Sequence, residues 1–104
     1  MLAENMIDLR QAEQMVYWCA DVLDTGELGM AESSMTEVAV SEVLMRVADR
    51  CVQVMGGQGV TGDMIVERVF REARAFRIYD APTEVHKWSL AKKVKQDWKT
   101  AQGE

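Results

Sequence analysis

Glycines at 56, 57, 59 and 62 and a lone carboxylate, Asp80, are the residues of this chain whose types and setting could do chemistry. Without a Cβ, the glycine backbone can come close to a ligand or a neighbouring chain. The plain alternative for Gly56-Gly57 is that they stop a helix. Asp80 stands between Tyr79 and Ala81-Pro82. A carboxylate there can take a proton from a substrate, or it can cap the helix that Pro82 opens, and the two roles are compatible. Arg68, Arg71, Arg74 and Arg77 recur every three residues, which predicts a solvated basic stripe paired with Glu67 and Glu72 rather than a ligand site. Cys19 and Cys51 are far apart on apolar faces, with no CxxC, and read as reduced core thiols. The single histidine, His86, has no companion at metal-ligand spacing, so no metal site is expected.

Helices must position these groups. Leu2, Met6, Leu9, Ala12, Val16, Cys19 and Leu23 recur at threes and fours and predict a helix over residues 2–24. Tyr17 and Trp18 flank that stripe, and Gly26 and Gly29 end it. Ser34 and Glu37 have capping-box spacing and predict the start of a second helix, with Val40, Leu44, Val47, Cys51 and Val54 on its inner side. It stops at Gly56-Gly57, and 56–63 reads as a loop. A third helix over 64–77 presents Ile65, Val69, Ala73 and Phe76. Pro82 suits a first turn, so a fourth helix should run from there toward Lys99, lined by Val85, Trp88, Ala91, Val94 and Trp98. Lys92, Lys93, Lys95 and Lys99 complement its dipole. Three long helices and one shorter one with short loops make an all-α, antiparallel up-and-down bundle, one domain over 1–104.

Composition excludes several classes. One proline and seven glycines among 104 residues, with eight methionines, favour long helices over short strands. A formal net charge of −5 argues against a nucleic-acid surface, which needs clustered Lys and Arg. No apolar run reaches the roughly twenty residues that span a bilayer, and the acidic, amphipathic start does not read as a signal peptide. A reducing compartment fits, the cytoplasm for a bacterial source.

Three blocks carry more than their separate chemistry. They are Gln53-Val54-Met55-Gly56-Gly57-Gln58-Gly59, then Glu67-Arg68-Val69-Phe70-Arg71-Glu72-Ala73-Arg74, then Ile78-Tyr79-Asp80-Ala81-Pro82-Thr83-Glu84-Val85-His86. In this order they resemble the C-terminal helical domain of the acyl-CoA dehydrogenases, which are FAD-dependent. The family pattern is Gln ahead of a Gly-Gly-x-Gly turn, a Glu-Arg-x-x-Arg helix, then Ile-Tyr-Glu-Gly. The resemblance extends more weakly over nearly the whole chain.

That resemblance implies a fold like the family's C-terminal domain and the removal of a thioester's α-proton by a carboxylate, the β-hydrogen passing as hydride to flavin. Asp80 holds the position of the base, one methylene shorter than the Glu of many members. Asp-Gly-Pro-x-Glu-Val-His occurs in certain branches, and this chain looks like them. Ala81 replaces the usual glycine on the acyl-CoA side and adds a methyl there. Gln53, Gly56 and Gly57 match the turn that meets the FAD of a neighbouring subunit. Pro82, Thr83 and Glu84 match the segment after the base that also touches FAD, with Pro82 in place of a threonine hydroxyl. The family's domain has a further long helix ahead of residue 2, and its N-terminal and middle domains supply most of the flavin surface. The chain is therefore expected to be part of a longer enzyme or a short reading frame, not holding FAD alone and inactive alone. An apolar groove left by the absent helix should be buried in a homodimer. The alternative is a helical interaction module that keeps the fold without the chemistry.

Overall fold

The computed structural model describes residues 1–78 and 83–103. Four helices follow one another: α1 (Leu2–Asp24), α2 (Met30–Met55), α3 (Ile65–Ala75) and α4 (Thr83–Ala101). A 3-10 turn spans Gly56–Val60, and the described residues contain no strand. The all-α order matches the periodicity, with long helices of 23, 26 and 19 residues and a short one of 11.

The architecture is organised on α2. Each other helix packs on it, while α1 touches neither α3 nor α4 among the described residues. Contacts step back along α2 as the chain advances: Gly59 lies on Val52, Arg77 pairs with Glu42, and His86 Nδ1 is 3.2 Å from Ser34 Oγ. So α3 and α4 run in succession antiparallel to α2, the first along its C-terminal half and the second along its N-terminal half. α1 is antiparallel as well, since Asn5 meets Arg50, Asp8 meets Arg46, and Cys19 Sγ lies 3.8 Å from Ser33 Oγ. The buried apolar residues are Ala12, Cys19, Val43, Met45, Ala48 and Ala73. Most are small, which lets the helices approach closely, and among the described residues no large side chain is fully enclosed.

Three helices around one leave much apolar surface uncovered. The radius of gyration is 17.0 Å, against about 13 Å for a compact chain of this length. In α1, Leu2 and Met6 are 77% and 74% exposed, and Leu9, Val16 and Leu23 stay exposed too. Only Ala12 and Cys19 of the expected stripe are buried. The face that packs is turned about a quarter-turn away and adds Asn5, Asp8, Met15 and Val22. Polar groups on that face are tolerated because they are paired. Asn5 Oδ1 accepts from Arg50, and Asp8 accepts from Arg46 at 3.2 Å and from Arg50 at 2.6 Å.

Other expectations are corrected in the same way. Val85, Trp88, Ala91, Val94 and Trp98 do not face inward; α4 seats Thr83, His86 and Leu90 on α2 instead. α2 starts at Met30 with Gly29 as its N-cap. The Ser34 hydroxyl is therefore inside the helix, where His86 engages it, and it caps nothing. α3 ends at Ala75, short of Arg77. The 56–63 segment is partly helical, as the 3-10 turn shows. An apolar groove of about 280 Å³ does run between α1 and the end of α3, lined by Val16, Cys19, Val40, Leu44 and Phe76. No described helix is long and apolar enough to cross a membrane.

Candidate functional site

The glycine-rich turn forms because α2 cannot continue through Gly56, whose φ of 64° and ψ of −140° lie where a side chain is strained. Its N–H donates to the Gln53 carbonyl and closes the helix end. The chain then tightens into the 3-10 turn, which Thr61 ends by donating both its N–H and its hydroxyl to the Gln58 carbonyl. Gly59 is buried on the Val52 backbone, and a Cβ there would collide with the Val52 carbonyl. Gly56 and Gly57 face the other way and have open space within 4 Å of where a Cβ would stand. Gln53 is exposed in the last turn of α2. A flat or extended group can thus reach this backbone. The end of α2 itself presents carbonyls and partial negative charge, so donors to an anion must come from the Gln53 amide and the N–H groups of the turn.

The second cluster lies at the start of α4. Thr83 is buried, and its N–H donates to the Arg77 carbonyl at 3.2 Å, closing a backbone loop across the α3–α4 junction. Glu84 is exposed beside it. Asp80, Ala81 and Pro82 lie outside the described residues. A polar cleft of about 390 Å³ is bounded by Glu42, Arg74, Arg77, Thr83, Glu84 and Lys87. Its cations and the first turn of α4 favour an anion, while Glu42 already neutralises Arg77.

Arg68 and Arg71 pair with Glu72 at 3.0 Å and Glu67 at 2.5 Å, as a solvated stripe should. Arg77 departs from that stripe and crosses to α2, giving Glu42 two hydrogen bonds, one of 2.9 Å from Nε and a second from Nη2. Sequence reasoning missed Glu42 and Ser34 as anchors of the junction, because no local pattern joins residues 35 and 52 positions apart. Cys19 and Cys51 are free thiols, and the described residues hold no metal-binding group of His, Cys, Asp and Glu.

The two clusters do not meet. Eleven helical residues separate Glu42, beside Thr83 and Glu84, from Gln53, which is about 16 Å along α2.

Comparison with known proteins places this geometry. The chain is 35% identical over 100 residues to (R)-benzylsuccinyl-CoA dehydrogenase of Thauera aromatica, covering 95% of this chain and 25% of that protein. It is 31% identical over 91 residues to a subunit of the caffeyl-CoA reductase-Etf complex of Acetobacterium woodii, covering 88% of this chain and 24% of that one. A Mycobacterium abscessus structure solved as a candidate acyl-CoA dehydrogenase superposes with a TM-score of 0.88 at 28% identity, over 92% of this chain and 24% of the other. The chain thus spans about a quarter of the length of the curated relatives it matches. The family model described as acyl-CoA dehydrogenase, C-terminal domain, matches residues 1–95. The chain belongs to the acyl-CoA dehydrogenase family and carries its C-terminal helical domain.

Proposed function

We propose that this chain is the C-terminal helical part of an FAD-dependent enzyme that desaturates acyl-CoA thioesters between the α and β carbons, with Asp80 as the base. The observation that carries the reading is the junction itself. α3 and α4 are each anchored on α2, by Arg77–Glu42 and His86–Ser34, and the Arg77 carbonyl accepts the Thr83 N–H across the segment that holds Asp80. The residues on either side of that segment are thus anchored on α2, and proton transfer by a base requires hydrogen-bond reach in a reproducible geometry. The Asp80 carboxylate takes the α-proton. Exclusion of water by bound thioester would raise its pKa toward that of the substrate. The reading assigns Ala81 to the acyl-CoA contact. When bound, FAD supplies the acceptor for the β-hydrogen.

Gln53, Gly56, Gly57 and Glu84 would meet the FAD of a neighbouring subunit, and Pro82 and Thr83 belong to the segment after the base that also touches FAD. The open space at Gly56 and Gly57 fits such a contact. A homo-oligomer follows from the contact with a neighbouring subunit's FAD. Alone, the chain holds only edges of the flavin surface and is inactive.

A chimera tests this. Joined to the N-terminal and middle domains of (R)-benzylsuccinyl-CoA dehydrogenase, the chain should support acyl-CoA-dependent reduction of an electron acceptor. Asp80→Asn should lower turnover about 10²–10⁴-fold with flavin still bound. Normal turnover in that variant would remove Asp80 from the role of base. Turnover by the isolated chain with FAD, acyl-CoA and acceptor would refute its inactivity. The uncovered faces of α1 and α4 favour a second reading, a helical assembly module without chemistry. It predicts a folded chimera that binds no flavin.

A further inference from the structure

Arg77 links three helices. Its N–H donates to the Arg74 carbonyl at 3.3 Å, which carries the turn beyond the end of α3. Its own carbonyl accepts the Thr83 N–H at 3.2 Å, at the start of α4. Its guanidinium crosses to α2 and donates to both carboxylate oxygens of Glu42, from Nε at 2.9 Å and from Nη2. A planar fork on a planar carboxylate fixes direction as well as distance, so this pair sets where the Arg77 backbone stands. In the sequence, residue 80 is midway along the stretch 78–82 that the Arg77–Thr83 bond spans.

Glu42 is a firm mount for that fork. Ser41, Val43 and Met45 beside it are all buried, so its backbone belongs to the best-packed stretch of the central helix. Arg46, one turn further along α2, has the i,i+4 spacing at which it would compete for the Glu42 carboxylate. Asp8 of α1 holds Arg46 instead, through hydrogen bonds of 3.2 and 3.3 Å, and Glu42 is left to Arg77. Arg68 and Arg71, by contrast, pair inside α3 and join it to no other helix.

We infer that Glu42 is a positioning residue for the base: through Arg77 it holds the frame from which the Asp80 carboxylate meets the α-proton. The assignment rests on the reading of Asp80 given above and adds to it a residue of another helix that belongs to none of the three sequence blocks. The Glu42 and Arg77 side chains are 26% and 36% exposed, so losing the pair should cost little stability. Its loss should fall on the rate, because a displacement of about 1 Å in a reacting group can slow turnover on the order of 100-fold.

Hydrogen exchange of the Thr83 amide in the full chain is the first test. Thr83 is buried, and in Glu42→Gln its N–H should exchange several-fold faster at unchanged helicity. Protection equal to the parent's would overturn the inference, whichever residue is the base. The chimera gives the second test. There Glu42→Gln should lower kcat about 10–100-fold with KM and bound flavin near the parent's. The isotope effect with α-deuterated acyl-CoA should rise as proton removal becomes rate-limiting. Glu42→Asp, which keeps the charge at shorter reach, should turn over at a rate between the two. Glu72→Gln breaks an ion pair confined to α3 and should leave kcat unchanged. Equal loss from Glu42→Gln and Glu72→Gln would reduce Glu42 to a general stabiliser and overturn its role. Normal turnover in Asp80→Asn would bring down the base reading itself. Turnover lost in Asp80→Asn but kept in Glu42→Gln would leave the base standing and overturn the role of Glu42 alone.

Discussion

The glycine-rich turn makes a sharp prediction, because its glycines look alike in the sequence and differ in the structure. A methyl group at Gly59 would be driven into the Val52 carbonyl, with the Val52 carbonyl carbon and Cα both 3.1 Å away. These are backbone atoms inside α2 and cannot swing aside as the tip of a long side chain could. Relief would come from lifting the 3-10 turn off the helix, an overpacking cost of about 1–3 kcal/mol. For a domain of this size each kcal/mol moves the melting temperature by about 4–8 °C, so Gly59→Ala should melt roughly 5–20 °C lower. Gly57 has open space around it and no positive φ. Gly57→Ala should therefore be neutral, or stabilising by up to about 1 kcal/mol through a less flexible unfolded chain. Thermal melts followed by far-ultraviolet circular dichroism read both. Equal melting temperatures for Gly59→Ala and the parent would refute the close approach to Val52. Equal damage from the two variants would refute the claim that only one of these glycines is needed for packing.

Gly56→Ala places a side chain at φ 64° and ψ −140°, which should cost about 1–3 kcal/mol in strain, seen in the same melts. Asp8 is held below the usual carboxylate range, first by the hydrogen bond from Arg46 and then by that from Arg50, against burial. A lowered folded pKa means that its stabilisation is complete above the ordinary aspartate value and is lost as pH falls through the lowered one. Melting temperature should drop across that acid window, and Asp8→Asn should flatten the drop; an unchanged profile would remove Asp8 as its source. Glu42→Gln breaks the partly exposed pair with Arg77 and should destabilise by at most about 1 kcal/mol. The loss should shrink in high salt, which denaturant titration at two ionic strengths would show.

The legible part of this protein was local. Apolar residues at threes and fours, glycines at 26, 29, 56 and 57 and a single proline at 82 marked four helices and their order. The Gln53-to-Gly59 and Ile78-to-His86 blocks marked the candidate site. Pairs four apart, such as Arg68 with Glu72, were readable because one helical turn brings them together. Which residues anchor the junction was not readable: Arg77 with Glu42 and Ser34 with His86 exist only once α3 and α4 lie along α2. Ser34 shows the conflict directly, since its spacing from Glu37 suits a cap while its actual partner comes from another helix.

The amino-acid order by itself determined that helices form, where they break, and which family's blocks they carry, because these depend on contacts within a turn or two of the backbone. The tertiary arrangement decided which side of α1 is buried, that Gly59 rather than Gly57 is needed for packing, and that the far half of α4 stands clear of its neighbours. Apolar periodicity records that a face is suited to burial, but what covers it depends on a surface that sequence spacing does not encode. On α1 and α4 the described residues supply no such surface, and this is why their most regular stripes are also their most exposed.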